Sequence, residues 1–182
     1  MKLKLTLLFL LILYVCAVSA QTKYSTKSGT ITFEASVPSF EEVKATNEQV
    51  SAVLNLDNGT FAALALINGF RFKVALMEEH FNENYMESAT FPKATFKGTL
   101  DGFSPSSLTG NASSFILKGE LTIHGNTQPL ECLAQVSKTT DGVRMETSFV
   151  LNPKEFDIEI PQIVSSKIAK EVLVSVSLLL KS

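Results

Sequence analysis

A two-residue alternation of apolar and polar side chains runs through almost all of this chain beyond its first twenty residues. Ile31, Phe33, Ala35 and Val37 alternate with Thr30, Thr32, Glu34 and Ser36. Val50, Ala52, Leu54 and Leu56 alternate with Ser51, Val53, Asn55 and Asp57. The same period returns in 94–101, 115–124, 130–136, 143–151 and 172–180. Successive side chains of a strand point to opposite faces, so this pattern marks half-buried antiparallel strands. The segment from Phe61 to Ile67 differs in being apolar on both faces. The pattern predicts about eight strands. Asp57-Asn58-Gly59-Thr60, Gly125-Asn126 and Thr140-Asp141-Gly142 are turn signals between them, which favours a meander. Eight such strands close into a barrel or stack as a sandwich, and a barrel of that size has an interior able to hold one small ligand.

One stretch breaks the period. Over Lys73–Ser88, Val74, Met77, Phe81 and Tyr85 fall three and four residues apart, with Glu78, Glu79, Asn82 and Glu83 between them. That spacing predicts an amphipathic helix of about three turns, placed where a barrel would use it as a lid. A second, short helix is expected over Ser166–Lys170. No repeat, low-complexity tract or linker divides the domain.

The first twenty residues read as a separate unit. Met1-Lys2-Leu3-Lys4 is a basic start, Thr6 to Val18 is uncharged and mostly apolar, and Val18-Ser19-Ala20 precedes Gln21. This is the order of a cleaved secretory signal, and the apolar run is short for a membrane span. The domain is then expected over residues 21–182. Cys16 has Tyr14 and Val15 before it, not the small residue that a lipid-modified cysteine requires. Cleavage would leave Cys132 alone, so no internal disulfide is expected.

Composition excludes several functions. Sixteen Lys and Arg against eighteen Asp and Glu give a net charge of −2, without the basic excess of a nucleic-acid binder. Two cysteines and two histidines are too few for a disulfide scaffold or a histidine-rich metal site. The chain has no G-x-S-x-G, P-loop, G-x-G-x-x-G or H-E-x-x-H. Glu78, Glu79, His80, Glu83 and Glu87 form the densest polar cluster, read as the solvated face of the helix. His124 stands at a strand end before Gly125 and is read as a turn residue that bonds backbone. Cys132 alternates with Leu130 and Ala134, so it points inward as a structural thiol and a poor nucleophile. No catalytic set and no metal are expected. Asn58-Gly59-Thr60 and Asn111-Ala112-Ser113 fit a glycosylation pattern but are read as turn residues.

The apolar surplus carries more information. Candidates for an interior lining are Phe33, Leu54, Leu64, Met77, Phe81, Tyr85, Met86, Phe96, Leu121, Ala134 and Phe149. Small residues such as Ala35, Ala52, Gly98, Gly119 and Ala134 lie among the large ones. Such a set either fills a core by interdigitation or lines a long apolar cavity, and both readings stand at this point.

Two segments resemble the YceI-like family of exported lipid- or polyisoprenoid-binding barrels. The first runs from Glu79-His80-Phe81-Asn82-Glu83-Asn84-Tyr85-Met86 through Phe91-Pro92-Lys93-Ala94-Thr95-Phe96. It is similar to the family's helix ending in a histidine and an apolar residue, then an aromatic pair, then a proline leading into a strand. The second, more specific, is Gly119-Glu120-Leu121-Thr122-Ile123-His124-Gly125-Asn126-Thr127-Gln128-Pro129. It is similar to the family's G-x-L-T-x-H-G-x-T-x-P strand and turn. Asn82 stands where many members carry Arg, and Tyr85-Met86 replaces the usual aromatic pair. The resemblance implies an eight-stranded, lipocalin-like antiparallel barrel with the helix near one mouth. It implies a long isoprenoid ligand, a quinone or polyprenyl compound, in the interior, with His80 and Asn82 as polar-head candidates. It also implies export to the periplasm or beyond, and no catalysis. The alternative is a filled barrel with a surface protein-interaction or stress-response role; a homodimer stays open.

Overall fold

Every alternating segment forms a strand, and the strands close on themselves. The computed structural model describes residues 23–182. Its strands are β1 (Lys23–Ser36), β2 (Lys44–Asn55), β3 (Thr60–Leu66), β4 (Arg71–Phe72), β5 (Lys93–Asp101), β6 (Ser113–Ile123), β7 (Asn126–Thr139), β8 (Gly142–Leu151) and β9 (Ile168–Leu180). The order is β1-β9-β8-β7-β6-β5-β3-β2, and β1 pairs back onto β2, so eight antiparallel strands make a closed barrel. The sandwich alternative is thereby set aside. The secretory signal, the boundary at residue 20 and Cys16 fall outside the described residues.

The short β4 completes one wall. The β2–β3 ladder covers only Ser51–Leu64 to Leu54–Phe61, and β4 continues it by pairing Phe72 with Ala45 and Arg71 with Thr46. Asn47 bridges the interval. It is fully buried; its Nδ2 donates to Leu66 O at 2.9 Å and its Oδ1 accepts from Gln49 N at 2.8 Å. A buried amide with donor and acceptor both engaged substitutes for the missing ladder bonds.

The helix is shorter than its pattern. Val74 is still extended, and α1 (Ala75–His80) runs into a single π turn, Phe81–Tyr85, closed by Met86 N–H to Phe81 O at 2.9 Å. The expected helix over Ser166–Lys170 does not form. Pro161 to Lys167 is a series of turns, and the chain then becomes β9, where Ile168 pairs with Ser36. A ladder partner supplied by the fold outweighs a weak local preference.

Along its axis the barrel has two unlike halves. One is filled: Val50, Leu54, Leu100, Leu117, Val136, Met145, Leu178 and Leu180 are all at most 3% exposed. At its inner boundary Gly98 and Gly119 face each other across β5 and β6. A Cβ on Gly119 would stand 2.2 Å from Lys97 O and 2.7 Å from Phe96 Cζ, so the Phe96 ring lies on the bare backbone of the pair. Phe61 packs against Phe96 with ring centres 6.0 Å apart. The opposite half is not filled.

Candidate functional site

The unfilled half holds an apolar cavity of about 490 Å³, within the size range of small-molecule pockets. Its walls are the inward residues nearest the mouth, including Ile31 and Phe33 of β1, Ala65 of β3, Leu121 and Ile123 of β6, Phe149 and Leu151 of β8, and Val172 and Val174 of β9. The helix closes one side with Met77, Phe81, Tyr85 and Met86. The β8–β9 connection closes another with Phe156, Ile158, Ile160 and Val164. The few polar side chains of the lining include Glu41, His80 and Lys167, all exposed at the rim.

Aromatic packing holds the helix in place. Phe81 stacks on Phe33, 5.3 Å between centres at 29°, and meets Phe72 at 5.2 Å and Phe70 at 5.8 Å. Such ring pairs add to simple area burial. On the outside Glu78 docks α1 to β4, one carboxylate oxygen on Arg71 Nη1 at 2.9 Å and the other on Phe72 N at 3.1 Å.

The G-x-L-T-x-H-G-x-T-x-P segment builds the opposite rim. His124 and Gly125 form the two-residue β6–β7 turn, both left-handed at φ 50° and 76°. The His124 ring sits 4.4 Å from the Phe91 ring, edge to face. Its Nε2 lies 2.8 Å from Glu87 Oε2 and its Nδ1 3.2 Å from Phe156 O. Asn126 Nδ2 donates to the same carbonyl at 3.0 Å. Thus one histidine ties the end of the helical segment and the β8–β9 connection to one hairpin. Its partners are this carboxylate and a carbonyl from a distant connection, not the backbone of its own turn.

The sequence-predicted lining divides. Phe33, Met77, Phe81, Tyr85, Met86, Leu121 and Phe149 come together around the cavity, with His80 at its rim. Leu54 and Ala134 are fully buried in the filled half, and Phe96 lies against the glycine pair; none of the three lines the cavity. Leu64 alternates with the inward Ala63 and Ala65 and therefore points outward. Asn82 lies off the cavity: its Nδ2 donates to Glu78 O at 2.9 Å, and its Oδ1 is buried without a protein partner. The acidic cluster also separates, Glu78 going to Arg71 and Glu87 to His124. Among the described residues no three His, Cys, Asp or Glu side chains converge as a metal site would need.

Several lining residues were not foreseen. Phe70 and Phe72 flank Arg71 in a two-residue period too short to stand out. Phe156, Ile158 and Ile160 alternate just before Pro161, a signal that was available and unused.

Cys132 is half-buried, and burial pushes its thiol above the ordinary value despite an opposing hydrogen bond from Thr147. The thiolate is the reactive form. Alkylation of Cys132, read by peptide mass, is therefore expected to reach half-maximal rate at higher pH in the folded chain than in urea. Coincident profiles would show that the wall does not shield the thiol.

An antiparallel barrel with a filled base and an apolar chamber beneath a helical lid defines a class, that of barrels with an interior ligand site. Within that class the chain belongs to the YceI-like domain family, whose model matches residues 23–180. A polyisoprenoid binding domain from Saccharophagus degradans, implicated in plant cell wall breakdown, superposes with a TM-score of 0.76 at 13% identity, over 89% of this chain and 99% of that one. Burkholderia cenocepacia BcnA gives 0.69 at 14% identity, over 84% and 96%. A Campylobacter jejuni YCEI protein gives 0.60 at 16%, over 80% and 90%. No curated protein sequence matches the chain. No helix among the described residues is long and apolar enough to cross a membrane.

Proposed function

We propose that this protein is an exported carrier or sequestering protein for an apolar isoprenoid lipid, of quinone or polyprenyl type, held in the mouth half of the barrel. The observation that carries the reading is the cavity itself, lined almost wholly by Phe, Ile, Leu, Val and Met side chains and polar only at its rim. Each methylene buried there contributes about 0.8 kcal/mol, so affinity needs few polar contacts. Met and Phe walls adapt to an irregular chain. The head group would lie at the rim beside His80, Glu41 and Lys167, and Asn82 serves the helix instead. The Saccharophagus relative, described as polyisoprenoid-binding, supports the ligand class. The amino-terminal pattern supports passage to the periplasm or the exterior. On this reading the protein is not an enzyme: His124 holds three elements together and Cys132 is a shielded wall residue. It needs no cofactor, and neither a metal nor a nucleic acid has a place in it.

The test is the intact mass of protein purified from its native host, under native conditions and again after solvent extraction. The expected result is release of an apolar molecule near one per chain. A clean apo mass, with no uptake of added quinones or polyprenols, would move the weight to a surface-interaction role.

A further inference from the structure

The barrel wall is not paired along its whole height. The β6–β7 ladder runs on to Ile123–Asn126 and the β8–β9 ladder to Leu151–Val172. The β7–β8 ladder stops at Ala134–Thr147, half-way up the wall. Beyond that point β7 and β8 each pair on one side only. At the stop, the Thr147 hydroxyl donates to Leu133 O at 2.7 Å, so a side chain ends the ladder where the next backbone bond would fall. Towards the mouth the β8–β9 connection bridges the interval, with Gln128 Nε2 donating to Glu155 O at 2.8 Å. Between these two stitches the wall carries a seam.

Outside the seam lies a groove of about 810 Å³. Its apolar members come from both faces of the wall: Leu130, Cys132 and Val176 from the inner face, Leu133 and Val150 from the outer. Leu133 is 61% exposed and Val150 54%. Phe149 lines both this groove and the inner cavity, and so stands between them.

The size of the inner cavity gives the groove a use. If a carbon-sized group takes about the ~30 Å³ that a water takes in the liquid, the cavity of 490 Å³ holds about sixteen such groups. That is the carbon count of roughly three isoprene units. A longer chain has to continue elsewhere, and the filled base blocks the axis.

We infer that the β7–β8 seam is a lateral portal, through which the distal part of a long isoprenoid passes Phe149 and lies in the outer groove. This rests on the carrier reading above and adds a second, external subsite to it. A peptide strand or a second copy would need a single free edge. Here two edges face each other across one groove, and inward residues open into it.

The experiment measures transfer of farnesol (three isoprene units) and solanesol (nine) from phosphatidylcholine vesicles to the protein. Two variants fill or charge the groove without touching the inner cavity: Ser148→Trp and Leu133→Asp, both at exposed positions. The expected result is unchanged farnesol uptake in both variants and solanesol uptake weakened about tenfold or more, the loss of a few buried methylenes. Solanesol, and not farnesol, should also slow alkylation of wild-type Cys132. If the wild type takes up solanesol and both variants do so equally well, the portal falls and the carrier stands. Uptake of farnesol alone by the wild type also overturns the portal, since the long chain then has no second seat. A wild-type dimer that Ser148→Trp dissociates, with uptake unchanged, assigns the groove to a second copy instead. If the wild type takes up neither alcohol, the carrier reading fails first and the portal with it.

Discussion

Gly119→Ala is expected to lower stability by about 3 kcal/mol or more, an overpacking cost at the upper end for a single methyl. The added carbon would stand 2.2 Å from Lys97 O and 2.6 Å from Gly98 Cα, so strands β5 and β6 would have to part at the middle of their ladder. Backbone cannot swing aside as the tip of a side chain can. The Phe96 ring would also lose its seat, and with it the packing at the base of the cavity. Urea unfolding reads the loss as a lower midpoint with a similar slope. Gly110→Ala is the control, because nothing lies within 4 Å of a Cβ there. Equal midpoints for the two variants would mean that the strands are not as close as described.

Ala65→Phe should act on binding and spare the fold. Ala65 is 3% exposed and faces the cavity from β3, so the new ring would project into empty volume. It brings six more carbons, and displacing only three ligand methylenes costs about 2.4 kcal/mol, near fiftyfold in Kd. The thermal midpoint should hold or rise, because a void is filled. Farnesol transfer from vesicles and a melting curve on the same preparation check both halves. Undiminished farnesol uptake with a correctly folded variant would place the ligand outside the mouth cavity.

The strands and the lid helix were legible because each rests on a local period. Phe33 and Phe149 alternate visibly with polar neighbours, and Met77, Phe81 and Tyr85 keep a helical spacing. Which inward residues meet a void was not legible. Leu54 and Leu121 have the same alternation and similar side chains, yet one is packed tight and the other borders open space. The difference lies in their height along the barrel axis, and no residue-by-residue pattern encodes height. The β8–β9 connection was missed for another reason. Its Ile158 and Ile160 look like a strand, but they pair with nothing and serve only as a flap across the mouth. Ser166–Lys170 went wrong because a partner strand from far along the chain decided its conformation. His124 was read correctly as part of a turn, but its carboxylate partner is 37 residues away, beyond any local reading.

The division of the barrel into a packed base and a hollow collar separates two demands that most small domains must meet with the same residues. Folding free energy is concentrated in the base, where Val50, Val136 and Leu180 leave no room for change. Ligand choice is written in the collar, where a substitution alters volume without removing a close contact. Lineages sharing this scaffold are therefore free to change cargo by drift around the rim while the base keeps the architecture recognisable, even where few identical residues remain.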